Sequence, residues 1–158
     1  MGKRFCNNKH DSKKYYDWLD KASGDMICAK KLLDDDRCYD AAAFHCQQAI
    51  EKALKAYLLL MTDRLYEGHN LSWLCKKAMK MDDFFTQWLD LSVALNHCYI
   101  ETRYPTDMPH IVSSGELKNF YKMAVNMFIF ICQQVDGELD ALEWLGYSVD
   151  VGADLTDF

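Results

Sequence analysis

Apolar side chains along this chain recur at steps of three and four, not two. Tyr15, Leu19, Ala22, Met26, Ala29 and Leu33 form the first such series. That spacing keeps side chains on one face of an α-helix, whereas a strand would send them to alternating faces. Trp18 and Ile27 widen the stripe, and Asp11-Ser12 ahead of it is the predicted cap. The acidic run Asp34-Asp35-Asp36 should end this helix and supply capping carboxylates to the next.

The second series is longer, running over about residues 38–61 through Tyr39, Ala43, Cys46, Ile50, Ala53, Tyr57 and Leu60. Beside it Ala42, Ala49 and Ala56 form a row of small side chains that would let a neighbouring helix approach closely. A helix apolar around so much of its circumference belongs at the centre of a bundle. Asn70 is the predicted cap of a shorter helix carrying Leu71, Leu74, Cys75, Ala78 and Met79, and Asp82-Asp83 opens another with Phe84, Phe85, Trp88, Leu91 and Leu95 inward. An irregular stretch is expected over residues 97–112. Ser113 and Glu116 then have the spacing of a capping box, launching a last long helix through Leu117, Phe120, Tyr121, Ala124, Phe128, Ile131 and Val135. A helical turn is expected around Leu142-Glu143-Trp144-Leu145. The pattern predicts an all-α protein, an antiparallel up-and-down bundle of four to five helices. One domain is expected over residues 1–146, followed by an acidic, mobile tail over 147–158.

Composition supports this reading and narrows the partners. The chain has 158 residues, half of them apolar, with only two prolines, Pro105 and Pro109, both in the irregular stretch. So few helix breakers favour long helices over many short strands. The net charge of −6 argues against broad, sequence-blind nucleic-acid binding, which needs a basic surface, and leaves open a locally positive cleft. Seven cysteines (6, 28, 38, 46, 75, 98 and 132) form no CxxC pair and are expected as reduced thiols, with Cys28, Cys46 and Cys132 on apolar faces. The first residues contain no apolar secretory core, and no apolar run approaches the ~20 residues that span a bilayer. The expected location is the cytoplasm, without membrane contact. There is no Gly-rich phosphate loop, His-Glu-x-x-His or Gly-x-Ser-x-Gly, so neither a metal nor a cofactor is expected.

The candidate chemistry lies on the second helix. His45, Gln48, Lys52 and Lys55 make one polar row, and Gln47, Glu51 and Lys55 another. Amides can pair with base edges, and lysines can hold phosphates as point charges. The alternative for both rows is a solvated face or a polar dimer seam, with Glu51 and Lys55 as an ordinary i,i+4 pair. His69 is expected to orient the loop ahead of the third helix.

The run from Tyr39 through Ala43-Phe44 and Gln47-Gln48-Ala49-Ile50-Glu51-Lys52-Ala53-Leu54-Lys55-Ala56 resembles the second-helix signature of HEPN domains. Gly68-His69-Asn70-Leu71 is similar to a second block of that family, with Asn70 where Asp is usual. Tyr99-Ile100-Glu101-Thr102-Arg103-Tyr104-Pro105 resembles a third, ending in the Arg-Tyr-Pro of one HEPN branch. The resemblance implies a helical bundle that works as a homodimer and binds a nucleotide, often beside a small nucleotidyltransferase in a toxin–antitoxin or defence-type pair. It places Gln47 and Glu51 close to the family's functional groove, with His45, Gln48, Lys52, Lys55, Arg103 and Tyr104 as further candidates for binding nucleotide or partner. It also implies an alternative. Ribonuclease members carry an arginine and a histidine separated by four to six residues, and Arg103 and His110 fit the outer limit of that spacing. Such a pair would cleave RNA without metal, the histidine moving protons and the arginine stabilising charge on the phosphate. Pro105 and Pro109 interrupt the interval, which favours binding over catalysis and leaves Arg103 and His110 the alternative of structural and surface loop residues. A third possibility is a helical module whose only task is dimerisation.

Overall fold

The computed structural model describes residues 11–101, 105, 107 and 112–136. Among them are five α-helices and no strand: α1 (Tyr15–Leu32), α2 (Tyr39–Thr62), α3 (Leu71–Met79), α4 (Leu89–Glu101) and α5 (Ser114–Val135), with 3-10 turns at Asp36–Cys38 and Asp83–Trp88. The all-α bundle expected from the periodicity is the observed fold. The tail, the turn around Leu142, and Cys6 lie outside the described residues.

Helix α2 is the axis of the structure and contacts each of the other four helices, α1 and α5 most extensively. Ala42, Ala43, Cys46, Ala49, Ile50, Ala53, Leu54, Ala56 and Leu58 are all fully buried. The alanines allow close approach, and the longer side chains fill the spaces between helices. The end of α1 (Leu32, Leu33) packs near Ala42 and Ala43 at the start of α2, whereas Trp18, early in α1, lies against Lys55 late in α2. The two helices are therefore antiparallel. Leu117 and Phe120 at the start of α5 join the same cluster as Ala42 and Ala43, so α5 runs parallel to α2 and packs directly on it.

The termini follow local chemistry. Asn70 Oδ1 accepts from Trp73 N at 2.9 Å and caps α3. Ser113 Oγ accepts from Glu116 N at 3.2 Å while Glu116 Oε2 accepts from Ser113 N at 3.0 Å, the reciprocal box at the start of α5. Asp35 caps the first 3-10 turn by accepting from Arg37 N, and the Arg37 guanidinium holds the Asp35 carboxyl below its usual range.

Several expectations need correction. Helix α1 starts at Tyr15 with Lys14 at the cap position and no side-chain cap. Ser12 instead braces the entry: its Oγ donates to Asp17 Oδ2 at 2.6 Å and its carbonyl accepts from Trp18 Nε1 at 3.0 Å. Ile27 and Leu60 lie on the solvent side of their stripes, at 36% and 40% exposure. Asp82-Asp83 opens a 3-10 turn, and the tighter winding rotates Phe84 outward to 73% exposure while Phe85 is fully buried. Helix α4 continues through residues 97–101, which were expected to be irregular. Cys28 is exposed, not on the apolar face. Cys46, Cys75 and Cys132 are buried thiols outside any disulfide, and burial pushes the Cys132 thiol up to about 12. None of the described helices is long and apolar enough to cross a membrane.

Candidate functional site

The polar rows of α2 are buried or half-buried and form two networks at its contacts with α1 and the 63–70 segment. The first is centred on Glu51, a carboxylate only 4% exposed. Its Oε1 accepts from Lys55 Nζ at 3.0 Å and pairs with His69 Nδ1 at 3.0 Å. Its Oε2 accepts from Gln47 Nε2 at 3.2 Å and Gln48 Nε2 at 3.4 Å. Gln47, fully buried, also accepts from Gln48 at 2.8 Å and donates to the His69 carbonyl at 3.4 Å. An ionised carboxylate is an acceptor only, and here both oxygens are occupied by donors.

Helix geometry and the loop after α2 build this cluster together. Gln47, Glu51 and Lys55 are spaced one turn apart, so they stack along one line. Asp63, in the left-handed region at φ 52°, ends α2 with its N–H on the Leu59 carbonyl. Gly68 at φ 103° then makes a turn that an L side chain would strain, and it directs His69 back onto Glu51. Lys55 is also 5.7 Å from the centre of the Trp18 ring, so the buried ammonium has a carboxylate on one side and a π-face on the other.

The second network joins α1 to α2. Asp25 pairs with His45 Nδ1 at 2.9 Å and with Lys52 Nζ. Of the six α2 candidates, Gln47, Gln48, Glu51 and Lys55 thus meet around one carboxylate, while His45 and Lys52 meet at another. Asp25 was not identified from the sequence. Its partners lie 20 and 27 residues away, and the antiparallel pairing that sets Trp18 against Lys55 and Leu33 near Ala42 brings it opposite the segment between His45 and Lys52. Arg103, Tyr104 and His110 lie outside the described residues, in the segment between Glu101 and Ser114.

Beside these networks a groove of about 430 Å³ opens at the start of α1, lined by Trp18, Ser12, Lys21 and Lys52 together with Asp11, Asp17 and Asp20. It offers an indole, a hydroxyl and two ammonium groups within one concavity. Among the described residues no group of three or more His, Cys, Asp or Glu side chains is placed to hold a metal ion.

A central, alanine-rich helix crossed antiparallel by α1 and tied to it through the Asp25 carboxylate defines the class: an α-helical bundle with a polar seam along its principal helix pair. The HEPN domain family model matches residues 15–135, the span from the first residue of α1 to the last of α5. The chain belongs to the HEPN domain family. Neither a curated protein nor a solved structure matches it significantly.

Proposed function

We propose that this HEPN domain is a non-catalytic module that binds a nucleotide in the Trp18 groove, working as a dimer beside a small nucleotidyltransferase in a toxin–antitoxin or defence-type pair. The observation that carries the nucleotide reading is the grouping of Trp18, Lys21 and Lys52 in a single cavity. The indole can hold a base and Lys21 can hold a phosphate, with Lys52 shared between that phosphate and its Asp25 partner. The cavity is also within the size range of small-molecule sites, about 300–1,000 Å³. Lys55 is buried between Glu51 and Trp18 and does not line the groove, so the groove takes over the phosphate role that the α2 row alone suggested.

The lining carries three carboxylates against two lysines. A nucleoside monophosphate should therefore bind better than a triphosphate. In a thermal-shift series with AMP, GMP, ATP and GTP, ligand at about a hundred times its Kd would add about 2.7 kcal/mol to stability, a rise in Tm of roughly 5–10 °C for a domain of this size. Lys21→Ala, an exposed change, should reduce the rise. Absence of any shift at millimolar nucleotide sinks the reading.

A ribonuclease is favoured by one observation, the Arg103–His110 spacing within the segment between α4 and α5. The test is purified protein on total RNA in EDTA, beside Arg103→Ala and His110→Ala. Cleavage by the parent that both variants lose would establish catalysis. RNA left equally intact by all three would leave the binding module.

A further inference from the structure

The elbow between α2 and α3 holds a second concavity, of about 470 Å³, whose lining includes Lys13, Arg64, Tyr66 and Trp73. Tyr66 and Trp73 meet edge to face with ring centres 5.8 Å apart. The Arg64 guanidinium lies 5.2 Å from the Tyr66 ring centre, and Lys77 Nζ lies 5.2 Å from that of Trp73 and 6.0 Å from that of Tyr66. None of Lys13, Arg64 or Lys77 takes part in an ion pair among the described residues. This contrasts with α2, where Lys52 and Lys55 both have carboxylates. On a chain of net charge −6, two cations with no ion pair among the described residues, Arg64 and Lys77, therefore lie over two aromatic rings, and Lys13 lines the concavity beside them.

We infer that this elbow is a protein-docking surface that takes an acidic peptide segment of a partner. Trp, Tyr and Arg are the residue types that dominate interface hot spots, and here they share one concavity. A guanidinium held against a ring keeps its N–H fork free for a carboxylate, which it can grip with two parallel hydrogen bonds. Lys77 and Lys13 supply point charges for neighbouring carboxylates, and Leu65 with the half-exposed Trp73 can receive an apolar side chain. Asp63 and Glu67, also in the lining, can accept peptide N–H groups. A phosphate strand carries a charge at every residue and must set some against Asp63 and Glu67, whereas a peptide can place its carboxylates at Arg64 and Lys77 and its N–H groups at those two acids. The cations also already lie over the ring faces on which bases would stack. The observations therefore favour an acidic peptide over a nucleic-acid strand. The elbow shares no lining residue with the Trp18 groove, so the inference does not rest on the nucleotide reading.

The test is an array of decapeptides varying in Asp/Glu content and in apolar neighbours, probed with the full chain and followed by fluorescence-polarisation titration of the retained peptides. Peptides with three or more carboxylates should be enriched. Their Kd should rise about tenfold or more in Arg64→Ala or Lys77→Ala, the loss of one charge-assisted hydrogen bond. Lys118→Ala, an exposed change on α5, should leave it unchanged, and added salt should weaken binding. Retention that ignores carboxylate content, titrations unmoved by both variants, or displacement of the acidic peptides by oligouridylate would each overturn the inference.

Discussion

Glu51→Ala is expected to destabilise the fold by about 3–5 kcal/mol, the cost of leaving a buried ion-pair partner unpaired. The Lys55 side chain is only 8% exposed, so its ammonium cannot turn to water without dragging its stem out of the α1–α2 seam. The loss goes beyond one pair, because Gln47, Gln48 and His69 donate to the same carboxylate. For a domain of this size the change should lower Tm by roughly 10–15 °C. Glu51→Gln should cost less, since an amide oxygen still accepts hydrogen bonds while the charge on Lys55 goes uncompensated. The double change Glu51→Leu with Lys55→Met should recover most of the loss, because replacing both members of a buried pair by apolar groups is often close to neutral. Urea denaturation of the three variants checks this. A single Glu51→Ala within about 1 kcal/mol of the parent would show that the network contributes little. A double variant as unstable as the single would instead place the stability in the other donors.

The network also explains why the fold was more legible in the sequence than the site. Periodicity reports which side chains leave water, and it located the helices because apolar faces repeat with the helical turn. It cannot tell a polar row facing solvent from one facing a neighbouring helix. Gln47, Glu51 and Lys55 have the spacing of an ordinary surface i,i+4 ladder, yet they are 0%, 4% and 6% exposed. What buries them is non-local: Trp18 from α1, and His69 delivered by the turn at Gly68. Asp25 was missed for the same reason, since its partners are 20 and 27 residues away. The caps at Asn70 and Ser113 were legible because their chemistry is confined to three or four consecutive residues. The parallel packing of α5 on α2 was not, because no short-range signal encodes which helices of a bundle touch.

The second large effect comes from a pair of neighbours that sequence pattern treats alike. Phe85→Ala should cost about 3–5 kcal/mol, the usual range for a buried phenylalanine truncated to alanine. Phe84→Ala should stay within about 0.5 kcal/mol of the parent. Phe85 is fully buried, with its ring centre 4.6 Å from that of Tyr57 on α2 and 5.1 Å from that of Phe130 on α5. Its carbonyl accepts from the Cys75 thiol on α3 at 3.5 Å. One residue of a short 3-10 turn thus joins three helices, and removing its ring opens a cavity against the aromatic rings of α2 and α5. The directly packed α2–α5 pair that carries Tyr57 and Phe130 should limit collapse, placing the cost toward the upper end. Phe84, 73% exposed, has little packing to lose. Parallel urea titrations of the two variants decide the matter. Equal losses would mean that the turn is wound as a regular helical segment with both rings inward, and the 3-10 geometry that separates their fates would be wrong.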